Sequence, residues 1–290
     1  MDRAMGFSVA AVQMETRPFA VEENLDRATA HVQSACSRGA EVVVLPELFN
    51  TGYCYDRKLL DHREPIGGRT TQWMQEHSRR ENVYLAACLA EEAPFGCYDT
   101  LVLTSPCGTI HTYRKRYPAF FEKLYFSAGH AEGIFRTAIG RIGVMVCWDM
   151  VQPRLLREMK GRIDLLLISS AWPDMTTGNI PVPLFSKWMS RQPALTPSRL
   201  ASELGVPVVY ANKAGTFRTR IPFLGLSYEA SFAGGSSITN HAGETVQSQH
   251  RGDDVLVARL DVSANDLGVA RTLRLFRGDE GPSLPRRAAA

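Results

Sequence analysis

The chain has 290 residues, of which 44% are hydrophobic and 22% charged, an ordinary globular balance with enough length for a large buried core. Its formal charge of +3 is small and its basic residues are scattered apart from short runs such as Arg114-Lys115-Arg116 and Arg286-Arg287, so no nucleic-acid partner is expected. No apolar run approaches the roughly 18 residues of a membrane helix and the N-terminus lacks the apolar core of a secretory signal, so the reading is a cytoplasmic protein without membrane contact.

Phe7 to Met14 is an apolar run suited to a buried strand. Leu25, Ala28, Val32, Ala35 and Cys36 then fall on one helical face, which Arg38-Gly39 closes. Glu41 to Leu45 is a β-branched strand of the kind covered on both faces, completing a β-α-β start. A helix over Trp73–Asn82 feeds a strand over Val83–Leu89. Thr100–Thr104 and Thr109–Tyr113 flank the turn composition Ser105-Pro106-Cys107-Gly108 and predict a hairpin, so the sheet is mixed.

A strand ending at Cys147, a helix through Leu155 to Met159 and a strand over Asp164–Ile168 come next. The Pro-rich stretch Trp172–Pro197 reads as irregular, with a helix only near Ser198–Leu204. Val206–Ala211, Gly234–Ile238 and Val255–Leu260 complete the strands. The alternation predicts one α/β domain over residues 1–270, followed by a tail over 271–290 that packs on a partner subunit. Six cysteines form no Cys-x-x-Cys pair, and those other than Cys54 and Cys147 read mostly as buried reduced thiols. Seven isolated histidines show no ligand spacing, so neither a metal nor a cofactor is expected.

Chemistry concentrates at Gly143-Val144-Met145-Val146-Cys147-Trp148-Asp149. A strand that ends on a thiol and turns into a helix is a nucleophile-elbow arrangement. There the helix N-terminus favours a thiolate and the Trp148 N–H faces a developing oxyanion. Glu47, after Pro46 at the end of an apolar strand, is either a carboxylate facing water or a partly buried general base. Lys115 is either a solvated lysine or an inward cation stabilising thiolate and oxyanion. Glu122, among Phe120, Phe121, Tyr125 and Phe126, needs a cation, for which Lys115 is a candidate. Asp149 reads as a helix cap.

Together these segments resemble the nitrilase superfamily of carbon-nitrogen hydrolases. The resemblance rests on Leu45-Pro46-Glu47 with the loop to Gly52-Tyr53, on Tyr113-Arg114-Lys115, on Glu122 to Gly129 and on the cysteine elbow. It extends to Tyr210–Gly215 and Gly234–Ile238, in the family's order. It implies a four-layer α-β-β-α sandwich with mixed sheets, a homodimer or higher homo-oligomer, and a catalytic set of Glu47, Lys115 and Cys147 supported by Glu122. The implied reaction is hydrolysis of a non-peptide carbon-nitrogen bond in a small amide or N-carbamoyl compound through a thioester, releasing ammonia or an amine.

Asp149 after Cys147-Trp148, Pro153 beyond it and the absence of a long C-terminal extension resemble the amidase and carbamoylase branch. The short interval from Lys115 to Glu122 resembles nitrilases, and Met150-Val151-Gln152 lacks the arginines of amino-acid carbamoylases. A nitrilase, or a non-catalytic binding module on the same fold, is the alternative. Tyr53, Trp148 and Trp172, with Cys54 and Pro173 nearby, are candidates to line the substrate pocket; Trp172 reads equally well as packing, and Cys54 reads better as a plain loop thiol.

Overall fold

The computed structural model describes residues 6–181 and 183–261, so the tail expected from 271 lies outside the described residues. The chain builds one sheet, then a second, then returns. Strand β1 (Gly6–Gln13), helix α1 (Val21–Ser37), β2 (Val42–Val44), helix α2 (Arg69–Glu81) and β3 (Tyr84–Ala93) make two parallel crossovers. β4 (Gly96–Thr104) and β5 (Ile110–Arg114) extend this sheet antiparallel, as a meander longer than the expected hairpin.

The second sheet starts with β6 (Ile134–Thr137) and β7 (Gly140–Val146) and crosses through helix α3 (Pro153–Met159) to β8 (Leu165–Ser169). After β9 (Pro173–Asp174), helix α4 (Pro183–Leu204) leads to β10 (Val208–Ala211), parallel to β8. β11 (Thr216–Arg220) and β12 (Ser227–Phe232) form a hairpin that pairs with β9 in a small third sheet. β13 (Ser236–Thr239) and β14 (Thr245–Gln249) finish the second sheet, and β15 (Asp254–Asp261) joins the first beside β1.

Side-chain alternation along β1 shows the layering. Phe7, Val9 and Ala11 enter the core between the sheets, while Ala10, Val12 and Met14 pack under α1 and α2 with Leu25, Ala28, Val32 and Met74. On the far side, Leu155, Met159, Leu200 and Ala201 bring α3 and α4 onto the second sheet. The architecture is α/β, a four-layer α-β-β-α sandwich with mixed sheets, as expected. Among the described residues no helix is long and apolar enough to cross a membrane.

The Pro-rich stretch departs from expectation. α4 begins at Pro183 and runs through Pro193 and Pro197. A proline inside a helix leaves the carbonyl four residues earlier without its amide donor. For Pro193 that carbonyl belongs to Met189, and the indole N–H of Trp172 donates to it at 2.9 Å. A tertiary hydrogen bond thus replaces the missing local one. Cys107 also departs from expectation, being exposed in the β4–β5 turn rather than buried, and Cys36 is only partly covered.

Candidate active site

Parallel strands point their carboxyl ends to one side, where α/β sheets hold their ligands. β2 leads there to Glu47, β7 to Cys147 and β8 to Ala171 and Trp172, while a parallel bridge between Met14 and Lys213 joins that end of the two sheets. Lys115 comes directly after β5, and Glu122 sits in the 3-10 turn Phe120–Leu124. Glu47, Lys115, Glu122 and Cys147 are all buried, Cys147 being the least covered at 4% exposure.

Lys115 is the hub. Its Nζ donates to Glu47 Oε1 at 2.6 Å and to Glu122 Oε1 at 2.9 Å, and lies 3.5 Å from Asp99 Oδ2. Gly129 fixes its backbone by donating to the Lys115 carbonyl at 2.8 Å, in a contact with Arg114 too close for any Cβ. Glu47 Oε2 accepts from the Ala171 N–H at 2.6 Å, which ties the first sheet's carboxylate to the end of β8. Glu122 accepts from Tyr53 Oη and from the Ala119 N–H at 2.6 Å.

Burial pushes Glu47 upward, but the Lys115 charge and its hydrogen bond, with the neighbouring Asp99 and Cys147 groups, outweigh it and hold the carboxyl below its ordinary value. Burial opposes the charge on Lys115 too, yet the surrounding anions raise its pKa well above the usual value. Glu122 is raised, chiefly by burial. Asp99 is raised well above the carboxylate range by burial and by the Glu47 charge, and neither of its carboxyl oxygens has a hydrogen-bond partner among the described residues. It is best described as protonated. Glu47, Asp99 and Glu122 have oxygens within 4.8 Å of one another, close enough to hold a cation, and the Lys115 ammonium already fills that role.

Cys147 has φ of +48°, left-handed backbone at a non-glycine residue, as a sharp elbow requires. The elbow runs into a five-residue 3-10 turn, Cys147–Val151, and α3 starts only at Pro153. The expectation of a thiolate favoured by a helix terminus is therefore corrected. Burial and the Glu47 charge raise the thiol well above its ordinary value, with Lys115 offsetting only part. The resting sulfur is protonated and lies beside an ionised carboxylate, the starting state that general-base activation needs.

Asp149 does more than cap. Its carboxylate accepts from Tyr113 Oη at 2.9 Å, the Tyr117 N–H at 3.0 Å and the Val146 N–H at 3.2 Å, closing the elbow against the Lys115 segment. A cavity of about 370 Å³ opens over Cys147. Tyr53, Trp148, Trp172 and Pro173 line it, whereas Cys54 is buried outside it.

Residues 8–266 match the Carbon-nitrogen hydrolase family. The chain belongs to that family. It is 32% identical over 155 residues to a nitrilase of Pyrococcus abyssi, covering 52% of this chain and 59% of that protein. Against an N-carbamoylputrescine amidase of Oryza sativa it is 28% identical over 268 residues, covering 88% and 86%. Alignments with the first three curated relatives span only 59 to 66% of those proteins' length. The fold matches an amidase from Nesterenkonia sp. with a TM-score of 0.73 at 22% identity, covering 94% of this chain and 97% of that one.

Among the contributors that sequence reasoning missed are Asp99, Asn212, Met189 and Phe217. Asp99 lies in the extension of β4 beyond the expected hairpin, and a carboxylate in an apolar strand was its signal. Asn212 Oδ1 accepts from the Trp172 N–H at 2.7 Å while its amide donates to the Gly234 carbonyl at 2.6 Å, which gives the two downstream motifs a shared task of seating Trp172. Met189 and Phe217 reach the cavity from α4 and β11, elements that local sequence pattern does not mark.

Proposed function

We propose that this chain hydrolyses a small amide through a thioester on Cys147. The observation that carries the reading is the buried Lys115 ammonium shared between Glu47 and Glu122, beside a thiol presented on a strained elbow. Glu47 takes the thiol proton as sulfur attacks the amide carbon, while Lys115 Nζ and the Trp148 N–H hold the oxyanion. As the tetrahedral adduct collapses, Glu47 returns the proton to the departing nitrogen. The same carboxylate then takes a proton from a water that attacks the thioester, releasing the acid and restoring the thiol. Glu122 holds Lys115 in place.

Nitrile hydrolysis is the second reading, favoured by the seven-residue interval from Lys115 to Glu122 and by the similarity to a nitrilase. Ammonia release from matched amide and nitrile pairs separates the two. Amide turnover abolished by Cys147→Ala, with an acyl adduct detected by mass on Glu47→Gln, supports the proposal. Unchanged turnover in Cys147→Ala removes it, and turnover of nitriles alone favours the second reading. A cytoplasmic location and a homodimer remain part of the proposal, and exposed Trp188 and Leu195 on α4 support the dimer; sedimentation as a monomer would remove it.

A further inference from the structure

Among the described residues, the walls of the cavity over Cys147 carry no charge. Its lining comes from separate stretches along the chain, and none of the lining residues is Arg, Lys, His, Asp or Glu. Tyr53 and Tyr55 stand on one side, Phe120 and Phe121 on another, Trp148 and Trp172 beside the nucleophile, Phe185 and Met189 on α4, and Phe217 and Ile221 on the β11–β12 hairpin. The aromatic rings support one another. Trp148 stacks on Trp172 with centroids 5.4 Å apart, Phe120 meets Trp148 edge-on at 5.0 Å, and Tyr53 lies 5.7 Å from Phe217.

The polar handles of these side chains are mostly consumed by the protein. Trp172 gives its N–H to the Met189 carbonyl, Tyr53 gives its hydroxyl to Glu122, and Thr219 Oγ1 accepts the Tyr55 N–H at 2.7 Å. Tyr228 is an exception, its hydroxyl being buried without a partner among the described residues and packed over Gly178. The catalytic charges give no anchor either, because Glu47, Lys115 and Glu122 already satisfy one another and none of them lines the cavity.

A carboxylate or ammonium carried by a substrate would lose its water here and find no counter-charge, a transfer that strongly disfavours binding. An apolar group loses little and gains contact with the rings. We infer that the substrate is a neutral primary amide whose acyl group is apolar and ring-sized, such as an arylacetamide, and that amides of dicarboxylic acids and of amino acids are rejected. A cavity of about 370 Å³ lies at the small end of ligand sites and suits one ring with a short linker better than a large metabolite.

This inference rests on the amidase reading for turnover, but its binding arm does not. Phenylacetamide, hexanamide, acetamide, succinamate and 6-aminohexanamide are compared for kcat/KM on the wild-type chain and for binding to Cys147→Ala by calorimetry. The expected result is phenylacetamide ahead of acetamide by at least tenfold and ahead of both charged amides by about a hundredfold, with the same order in binding. Binding in that order without turnover keeps the inference and sinks the amidase reading. Succinamate or 6-aminohexanamide binding or reacting as well as phenylacetamide overturns the inference, as does acetamide matching it, even where Cys147-dependent turnover stands. Ile180→Arg, which puts a cation in the wall, is expected to improve succinamate relative to phenylacetamide by tenfold or more; an unchanged ratio also counts against the inference.

Discussion

Tyr113 donates its phenolic hydroxyl to Asp149 Oδ2 at 2.9 Å, so the strand that delivers Lys115 is fastened to the turn that presents Cys147. Asp149 is fully buried and its pKa is raised to about 6 by burial, with the Lys115 charge and the three donors opposing that rise only in part. Tyr113→Phe removes one of those donors and is expected to cost about 1.5 to 3 kcal/mol of unfolding free energy, together with a fall in kcat. Asp149→Ala strands all three donors and is expected to cost more. Equilibrium denaturation of the two variants checks the order, and a Tyr113→Phe protein as stable and as active as wild type would show that the fastening is dispensable.

Glu47 and Lys115 should fail in different ways. Glu47→Gln keeps the size of the side chain while removing the base, so kcat/KM is expected to fall by about 10² to 10⁴ with the fold retained. Lys115→Met removes the cation that Glu47 and Glu122 share, and an unpaired buried charge costs roughly 3–5 kcal/mol, so stability is expected to fall along with activity. Activity assays paired with thermal unfolding distinguish the two. Equal melting temperatures for both variants would contradict the hub role of Lys115.

Asp99 sits among the same charges without sharing their role. Burial and Glu47 keep it protonated, so Asp99→Asn replaces one neutral group by another and is expected to leave kcat/KM within a few-fold of wild type. Asp99→Leu deletes the polar contact and should cost more. A hundredfold loss in Asp99→Asn would mean that the ionised form is required.

The buried strands were legible because parallel strands covered on both faces read as continuous apolar runs, as Val42 to Val44 and Leu165 to Ser169 do. The elbow was legible from the apolar strand ending on Cys147. α4 was not, because Pro193 is a local helix breaker and the Trp172 indole that takes up the stranded Met189 carbonyl is distant in sequence. The protonation state of Cys147 was hidden for a similar reason, since the neighbouring Glu47 charge comes from the other sheet. β12 does carry a local signal. Tyr228, Ala230 and Phe232 alternate with exposed Ser227, Glu229 and Ser231, the period of a half-buried strand.

Thiol labelling will not single out Cys147. Cys107 is exposed, and hydrogen bonds from Ser105 and Thr109 lower its pKa to about 7. At neutral pH about half of it is thiolate, whereas burial raises Cys54 to about 11 and holds Cys147 well above the ordinary thiol value. Iodoacetamide at pH 7 is therefore expected to modify Cys107 first without loss of activity, and inactivation is expected to be slower. Peptide mapping against residual activity checks this; inactivation that keeps pace with Cys107 labelling, and persists in Cys107→Ser, would show an activated thiolate at Cys147.

Lys213 supplies a pH signature away from the chemistry. It is fully buried, donates to Thr16 Oγ1 at 2.7 Å and to the Leu48 carbonyl at 3.3 Å, and burial lowers its pKa from 10.5 to about 7. Between those two values the unfolded chain binds a proton that the folded chain does not, so this residue makes stability rise with pH, by at most about 1.4 kcal/mol per pH unit. The penalty is fully present below about pH 7 and is gone above 10.5. Buried thiols and phenols with raised pKa values pull the opposite way in alkali, so the comparison must be made against a variant. Lys213→Met loses the Thr16 and Leu48 contacts but also the titration, and the difference in unfolding free energy between wild type and variant is expected to shift toward wild type as pH rises from 7 to 10. A difference that stays constant across that range would place a charged ammonium at Lys213 in the native fold.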